Sequence, residues 1–323
     1  MNLQVGRILS RSFAIAWSHR WLWLLGVFGG AGIGARFNVP FPSSRRGSSG
    51  GGQVATFISE HAALVLMAVL VVLVLFVVAG VIACIAVPAS IWAGLQLDAG
   101  HEVGLRQAWG EGTRRGWRYF RLGLIKLGLG VAVGVPVALV ALAGVAFYAA
   151  VGSAVIPLLV IGALVLVLAL IAAFVTLGLG LAWSDRTLVI LGVSAWDSVR
   201  ASWWLFRHNK MDTFVFGFVM GVVQFGLTVG VGLLAAVVAT PGIVMLVVYF
   251  AWQGDFILVV AGAAWVILLG GGALLLGGGF AGALSQVAYA IAARDLCLRW
   301  RLDVLAEVIG WDPRAAADMA PAT

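Results

Sequence analysis

The side chains that could build a metal site are few in this sequence and lie far apart. The four histidines are His19, His61, His101 and His208. None has a second ligand at the one-turn spacing that lets two side chains on one helix face share a zinc ion. All four lie near the ends of apolar segments, where a histidine at a membrane surface is the simpler interpretation. We therefore predict no metal site and no bound cofactor.

Asp98, Glu102 and Glu111 are acidic residues that lie near one another in sequence. Paired carboxylates can act as general acid and base, but here arginines such as Arg114 and Arg115 alternate with the acids. Ion pairs on a solvated surface explain that pattern with fewer assumptions. No set of nucleophile, base and metal can be assembled elsewhere. The sequence thus predicts no catalytic residue and a protein that is not an enzyme.

Two glycine-rich runs, GVFGGAGIGARF and GGGALLLGGGFAG, have only a superficial likeness to phosphate-binding loops. Neither contains the Gly-Lys-Ser/Thr sequence that such a loop requires, and no strand–helix pattern surrounds them. In apolar segments, glycine lets two helices approach closely. We expect Gly272, Gly278 and Gly282 to serve helix packing. The alternative is an unwound segment that binds a ligand.

The composition is that of a membrane protein. Of the 323 residues, 63% are apolar and 10% are charged, whereas a soluble domain has about 25% charged residues. The net charge of +7 would suggest nucleic acid in a soluble protein. Here the basic residues lie beside apolar segments, so membrane topology explains them and no nucleic-acid partner is predicted. Cys84 and Cys297 are too isolated to indicate a disulfide framework.

Six segments have the apolar length of a membrane span, which is about 20 residues. They are residues 21–35, 62–94, 122–150, 154–183, 213–240 and 256–292. The first is short and rich in glycine. The last is too long, because at about 1.5 Å per residue it would reach roughly 55 Å against a hydrocarbon core of about 30 Å. It must tilt, break or project into the cytoplasm.

The basic residues set the expected orientation. All but three of the 20 lysines and arginines fall in segments that lie on one side of a six-span topology, and the exceptions are Arg36, Arg45 and Arg46. The positive-inside bias places that side, with both termini, in the cytoplasm. The loop 36–53 would then lie outside, and the expected location is the inner or plasma membrane. No cleavable signal peptide is predicted, because no small-residue cleavage site follows the first apolar run.

Residues 194–210, SAWDSVRASWWLFRHNK, have the period of an amphipathic helix. One face carries the apolar side chains Trp196, Val199, Trp203 and Phe206. Arg200 and Arg207 lie on another side, and Ser194 with Asp197 has the spacing of a helix-capping box. This pattern predicts a helix on the membrane surface, with tryptophans at headgroup depth and arginines toward anionic lipid.

The same design occurs three times along the chain. The run GRILSRSFAIAWSHRWLWLLGVFGG aligns with the segment above and sets Ser12 opposite Ser202 and Arg20 opposite Lys210. The run GLRQAWGEGTRRGWRYFRLGLIKLGLG is a looser third copy. We predict one membrane domain, residues 1–300, made of three units of a surface helix and two spans (about 1–100, 101–193 and 194–300), followed by a cytoplasmic tail, 301–323.

Two sets of polar residues are candidates for function. The basic residues expected to bind lipid headgroups are Arg114, Arg118, Arg186, Arg200, Arg207 and Lys210. The polar residues inside the spans are Gln224, Thr228, Gln286 and Tyr289. The latter either form interhelical hydrogen bonds or line a polar cavity. Asp185 and Arg186 either pair with Arg200 or Asp197 at a helix end or bind a headgroup.

The run LAWSDRTLVILGVSAWDSVRASWWLFRHN resembles a bacterial family of six-span membrane proteins. That family is related to the membrane domain attached to some glycerophosphodiester phosphodiesterases. The residues that carry the resemblance are Trp183, Asp185, Arg186, Gly192, Ala201, Ser202, Trp203 and Arg207. The resemblance implies an all-α, six-span fold. The phosphodiesterase domain, with its metal-binding side chains, is absent here, so the resemblance implies no catalytic activity.

We therefore expect a non-enzymatic integral membrane protein that organises anionic lipid, or a membrane partner complex, through its cytoplasmic-face helices. Membrane lipids, a membrane protein partner and further copies of the chain are the expected partners. The alternative is a transporter or channel-like protein for a small or lipidic substrate. Transporters commonly carry charged groups near the bilayer midplane, and the middles of these spans carry none.

Overall fold

A computed structural model describes residues 4–29, 62–151, 156–252 and 256–299, which are helical almost throughout and contain no strand. The helices in these ranges are α1 (Val5–Ser18), α2 (Trp21–Gly29), α3 (Ala62–Asp98), α4 (Leu105–Val151), α5 (Ile156–Leu181), α6 (Ser184–Leu191), α7 (Ala195–His208), α8 (Lys210–Trp252), α9 (Phe256–Trp265) and α10 (Gly271–Arg299). A π-helical turn, Val266–Gly270, joins α9 to α10.

Five helical stretches of the described ranges are long and apolar enough to cross a membrane. They are Ala62–Asp98, Leu105–Gly144, Val160–Leu191, Lys210–Tyr249 and Val259–Leu298, and they overlap the second to sixth predicted spans. The prediction of an all-α chain of the membrane type is confirmed. Of the predicted first span only α2 is described. The rest of that span, the loop 36–53 and the tail 301–323 lie outside the described residues.

The long helices are packed at one end of the molecule and exposed along the remainder. In α3, ten consecutive residues, 69–78, are exposed, which covers every side of the helix. From Ala86 to Ala93 nearly every side chain of the same helix is buried. α4 shows the reverse order, with its buried residues before Lys126 and exposed apolar residues after it. Each helix thus has one half in a shared core and one half whose apolar surface is suited to lipid.

α10 is the central helix of the packed end. It contacts α1, α2, α3, α6 and α8. Its small side chains from Ala281 to Ala293 are almost all buried, so neighbouring helices can approach it closely. The predicted last span is therefore not broken within 256–299, because the helix continues through the π-helical turn at Val266–Gly270. Its excess length is accommodated by packing of the second half in this core.

Glycine makes the closest of these contacts, but at positions the sequence did not indicate. A Cβ atom on Gly279 would lie 2.5 Å from the carbonyl oxygen of Trp23 in α2, and one on Gly277 would collide with Val231. A Cβ on Gly272 or Gly278 would meet open space. Among the described residues these two glycines make no close helix contact, unlike the prediction, because residues adjacent on a helix point about 100° apart. Gly282 is buried, as expected of a packing residue.

α1 and α7 are matched in length and position within their parts of the chain. Each has 14 residues, and α7 begins and ends 190 positions after α1, which is the offset of the predicted alignment. Buried residues coincide at Ile8 and Ser198, Ser12 and Ser202, and Ile15 and Leu205.

The second predicted unit differs from the other two. α1 ends at Ser18 and α7 at His208, and the residues that follow, His19 and Asn209, have non-helical backbone angles before the next helix begins. In the second unit the expected surface helix and the span form one continuous helix, α4. No residue between Arg121 and Lys126 breaks the helical hydrogen bonding, so a separate surface helix is not present there.

Candidate functional site

The short helix α6 carries two charged residues, Asp185 and Arg186, whose side chains are largely removed from solvent. It begins at Ser184, three residues after α5 ends, and Asp185 lies in its first turn, where the helix dipole favours a negative charge. The helix ends at Leu191 and is followed by Gly192, whose φ of 66° is left-handed and favours glycine at this C-terminal position. The chain then turns directly into α7.

The Asp185 carboxylate is surrounded by side chains from several helices. The Lys126 ammonium of α4 lies 2.7 Å from Oδ1 and the Arg186 guanidinium lies 3.2 Å from Oδ2. The Tyr119 hydroxyl, also from α4, donates a further hydrogen bond. The carboxylate therefore has two cations and one neutral donor around it, which compensates for its removal from water.

Arg186 lies inside the protein, with 8% of its surface exposed. Its guanidinium donates to the Gln286 Oε1 of α10 at 2.8 Å and to the Ala182 carbonyl oxygen at 3.1 Å. It also lies 4.8 Å from the centre of the Tyr289 ring, which is a cation–π distance. This placement departs from the predicted headgroup contact, because both terminal guanidinium nitrogens are bonded to protein groups. Its acidic partner is Asp185, not the predicted Asp197.

Trp183, the residue before α6, packs this region against α8 and α10. It is fully buried, its indole N–H donates to the Thr213 hydroxyl of α8 at 3.2 Å, and its ring packs against Phe216 and Tyr289. We call Tyr119, Lys126, Asp185, Arg186 and Gln286 the Asp185 cluster. It joins α4, α6 and α10 through charged and polar contacts, so its first role is to hold these helices in register.

The predicted polar residues of the other spans are bonded to backbone. The Gln224 amide of α8 donates to the Ala281 carbonyl of α10 at 3.0 Å, and the Thr228 hydroxyl donates to the Gln224 carbonyl at 2.7 Å. Gln286 and Tyr289 belong to the surroundings of Arg186. The interhelical hydrogen-bonding alternative therefore describes the contacts of Gln224 and Gln286.

A second ion-pair network was missed by sequence reasoning. Asp98, at the end of α3, has 1% of its side chain exposed and pairs with Arg11 of α1 and with Arg294 of α10 at 2.6 Å. Asp295 extends the network to Arg7 at 3.3 Å. The expected partners of Asp98 were the arginines that follow it in sequence. The real partners come from both ends of the described chain, and no local spacing could have indicated them.

α7 has a buried side and an exposed side. The buried side is made of small residues and one leucine: Ala195, Ser198, Ala201, Ser202 and Leu205. The Ser202 hydroxyl donates to the Gly180 carbonyl of α5 at 2.6 Å, which fixes the helix against the end of that span. Half of the capping box predicted for Ser194 and Asp197 is observed: the serine oxygen accepts from the Asp197 N–H at 3.3 Å, while the Asp197 carboxylate accepts from the serine hydroxyl at 2.6 Å.

The exposed side of α7 carries both aromatic and basic residues. Trp196 and Trp203 are exposed, and Arg200 and Arg207 each follow one of them by one helical turn on the same side, so the prediction that the arginines lie on another side is wrong. Val199 and Phe206 are half-buried next to the tryptophans, and Lys210, the first residue of α8, is exposed. The Arg200 guanidinium lies 5.9 Å from the Trp196 ring and 3.9 Å from Asp197, so it remains mostly open to solvent or headgroups.

Arg114 and Arg118 of α4 lie on the same packed end and are both exposed. Arg114 pairs with Glu111 at 3.0 Å. Arg118 donates to the Gly192 carbonyl at 2.8 Å, which connects α4 to the joint between α6 and α7. Five of the six predicted headgroup residues are thus at the surface, and Arg186 is the exception.

These features define the class: a helical membrane protein with a basic, aromatic surface at its packed end. Within the described ranges, no three side chains of the metal-binding types lie close enough together to hold an ion. No family model, no curated protein and no solved structure matches the chain. The resemblance to the membrane domain of glycerophosphodiester phosphodiesterases therefore stays a prediction from the sequence.

Proposed function

We propose that this protein is a non-enzymatic integral membrane protein that organises anionic lipid, or a partner held among such lipids, at the cytoplasmic face of the membrane. The proposal rests mainly on which residues of α7 are buried and which are exposed. The small-residue side of this helix is fixed in the core, and its exposed side carries tryptophans and arginines together. A helix of this kind lies at a membrane surface, with tryptophans at headgroup depth and arginines beside the lipid phosphates.

The electrostatic attraction between α7 and anionic lipid is expected to be modest. Each basic residue near an anionic surface contributes on the order of 1 kcal/mol, and salt screens the attraction. Because α7 is already attached through α5 and α8, the attraction is not needed to hold the protein in the membrane. It instead sets which lipids collect around the packed end.

Charge reversal on α7 is the first test. Arg200→Glu with Arg207→Glu should reduce the anionic lipid that co-purifies with the protein, while membrane insertion is unchanged. The measurement is lipid mass spectrometry of protein extracted in mild detergent. Arg106→Glu, at an exposed position at the start of α4, controls for a charge reversal outside α7. Unchanged anionic lipid in the double variant would contradict the proposal.

The proposal also includes the membrane topology of the chain. The chain would cross the membrane six times, in three units, with both termini in the cytoplasm and the loop 36–53 outside. The clustering of basic residues at the packed end supports this orientation through the positive-inside bias. Association with further copies or with a membrane partner would bring the same basic surfaces together.

The topology can be tested by single-cysteine labelling in intact cells and inverted vesicles. In a background without Cys84 and Cys297, Ser49→Cys should react with an impermeant maleimide from outside, and Ala316→Cys from the cytoplasmic side. Both positions lie outside the described residues, so the result depends on topology alone. Reaction of both from the same side would refute the six-span arrangement.

A further inference from the structure

An apolar groove lies between α3 and α4, at the level where α3 changes from exposed to buried. It has a volume of about 490 Å³ and is lined by Phe76, Gly80, Val81, Cys84, Gly116 and Phe120 among others. This volume is within the range of roughly 300–1,000 Å³ that ligand pockets occupy. The groove continues toward the fully exposed apolar half of α3, so a hydrocarbon chain could enter it from the membrane.

The packing of the two helices explains why a groove forms there. A Cβ on Gly112 would collide with the Ile85 carbonyl and lie 2.8 Å from Ala89, so α3 and α4 are in direct contact at this level. One turn further, a Cβ on Gly116 would still touch Ile85 at 3.5 Å, but one on Gly80 would meet open space. The helices therefore separate above Gly116 and leave an apolar cleft.

One wall of the groove is aromatic and continuous with basic residues. Trp117 lines the groove and stacks on Phe120, with their ring centres 5.5 Å apart. The Arg121 guanidinium lies 5.2 Å from the centre of the Trp117 ring. Arg114 is two helical turns from Arg121 and 79% of its side chain is exposed. Beyond the tryptophan, the surface is thus positively charged.

We propose that this groove binds an anionic glycerophospholipid of the surrounding membrane, with one acyl chain in the cleft and its phosphate at Arg114 and Arg121. Charge complementarity selects the occupant. Residues 105–126 carry six basic residues and one acidic residue, while the cleft is almost entirely apolar apart from the Thr113 hydroxyl. An acyl chain would fill the apolar cleft, and a phosphate would form charge-assisted hydrogen bonds with the arginines.

This inference rests on the proposed affinity for anionic lipid and assigns it a defined site on helices other than α7. The two can fail independently, since α7 offers a flat surface and the groove offers a pocket. A flat surface should concentrate several anionic lipids weakly, whereas the groove should retain one lipid after the others have been removed by detergent.

The experiment is native mass spectrometry of the delipidated full-length protein, titrated with phosphatidylglycerol and, separately, with phosphatidylcholine. We expect one phosphatidylglycerol to bind more tightly than the rest and more tightly than phosphatidylcholine. Gly80→Leu, which fills the cleft at a position with open space, should weaken that first binding event about tenfold. Arg114→Ala with Arg121→Ala should do the same.

The controls separate the two lipid sites. Gly123→Leu places the same side chain at another open position on α4 and should leave the first binding event unchanged. Arg200→Glu with Arg207→Glu should reduce only the later, weaker events. If Gly80→Leu binds phosphatidylglycerol like the unaltered protein, or if phosphatidylcholine binds equally well, the groove proposal is overturned even where the α7 variant loses lipid. If the α7 variant alone has no effect, the proposed function fails and the groove remains.

Discussion

Replacing Asp185 with asparagine should lower the free energy of unfolding by about 3–5 kcal/mol, the cost of removing one partner from a buried ion pair. The substitution keeps the size of the side chain but removes its negative charge. Arg186, which is buried, and the partly buried Lys126 then face each other without a counter-ion. The measurement is the SDS concentration at the midpoint of unfolding in mixed micelles, followed by tryptophan fluorescence.

The neighbouring residues provide a matched comparison for this result. Lys126→Met should cost less, because Asp185 keeps Arg186 and the Tyr119 hydroxyl as partners. The double variant should be less unstable than the sum of the two, with a coupling of roughly 0.5–3 kcal/mol. Glu102→Gln, at an exposed position between α3 and α4, controls for the loss of one negative charge. An Asp185→Asn protein as stable as this control would show that the cluster contributes little to folding.

The second large effect is expected at the contact between α2 and α10. A Cβ on Gly26 would collide with the Gly279 carbonyl oxygen and lie 2.6 Å from the Ala283 nitrogen. Both are backbone atoms of the central helix and cannot rotate away. Gly26→Ala should therefore destabilise the protein by about 1–3 kcal/mol through overpacking, and α2 should lose its contact with α10.

The direction of the stability change distinguishes Gly26→Ala from a glycine-to-alanine substitution at an uncrowded helix position. Gly80→Ala, at a helical position with open space, should be neutral or stabilising by up to about 1 kcal/mol, since alanine is the better helix former. The comparison uses the same SDS titration, together with disulfide crosslinking of cysteines placed on α2 and α10. Equal stability of the two alanine variants, with unchanged crosslinking, would contradict the close backbone approach.

Local features of the molecule could be predicted from the sequence because they depend on spacing alone. The length of apolar runs indicated five of the helices that can cross a membrane, and the spacing of Ser194 and Asp197 indicated the start of α7. Periodicity placed the exposed arginines on another side of that helix from the tryptophans, and this prediction was wrong, because Arg200 and Arg207 lie one turn after Trp196 and Trp203. It did not indicate the buried side with Ala201 and Ser202, since small residues give a weak hydrophobic signal on either side of a helix.

The sequence by itself determined that this is a helical membrane protein with basic residues gathered at one end of its spans, because composition and apolar length depend on no tertiary contact. Only the tertiary structure decided how the polar groups are used. Asp185 meets Lys126 from 59 positions away and Arg186 meets Gln286 from 100 positions away. Such pairs depend on how each helix is rotated about its axis. A rotation of one residue, about 100°, exchanges the packed Gly279 for the open Gly278, and the apolar pattern of α10 is too uniform to fix that rotation before the helices assemble.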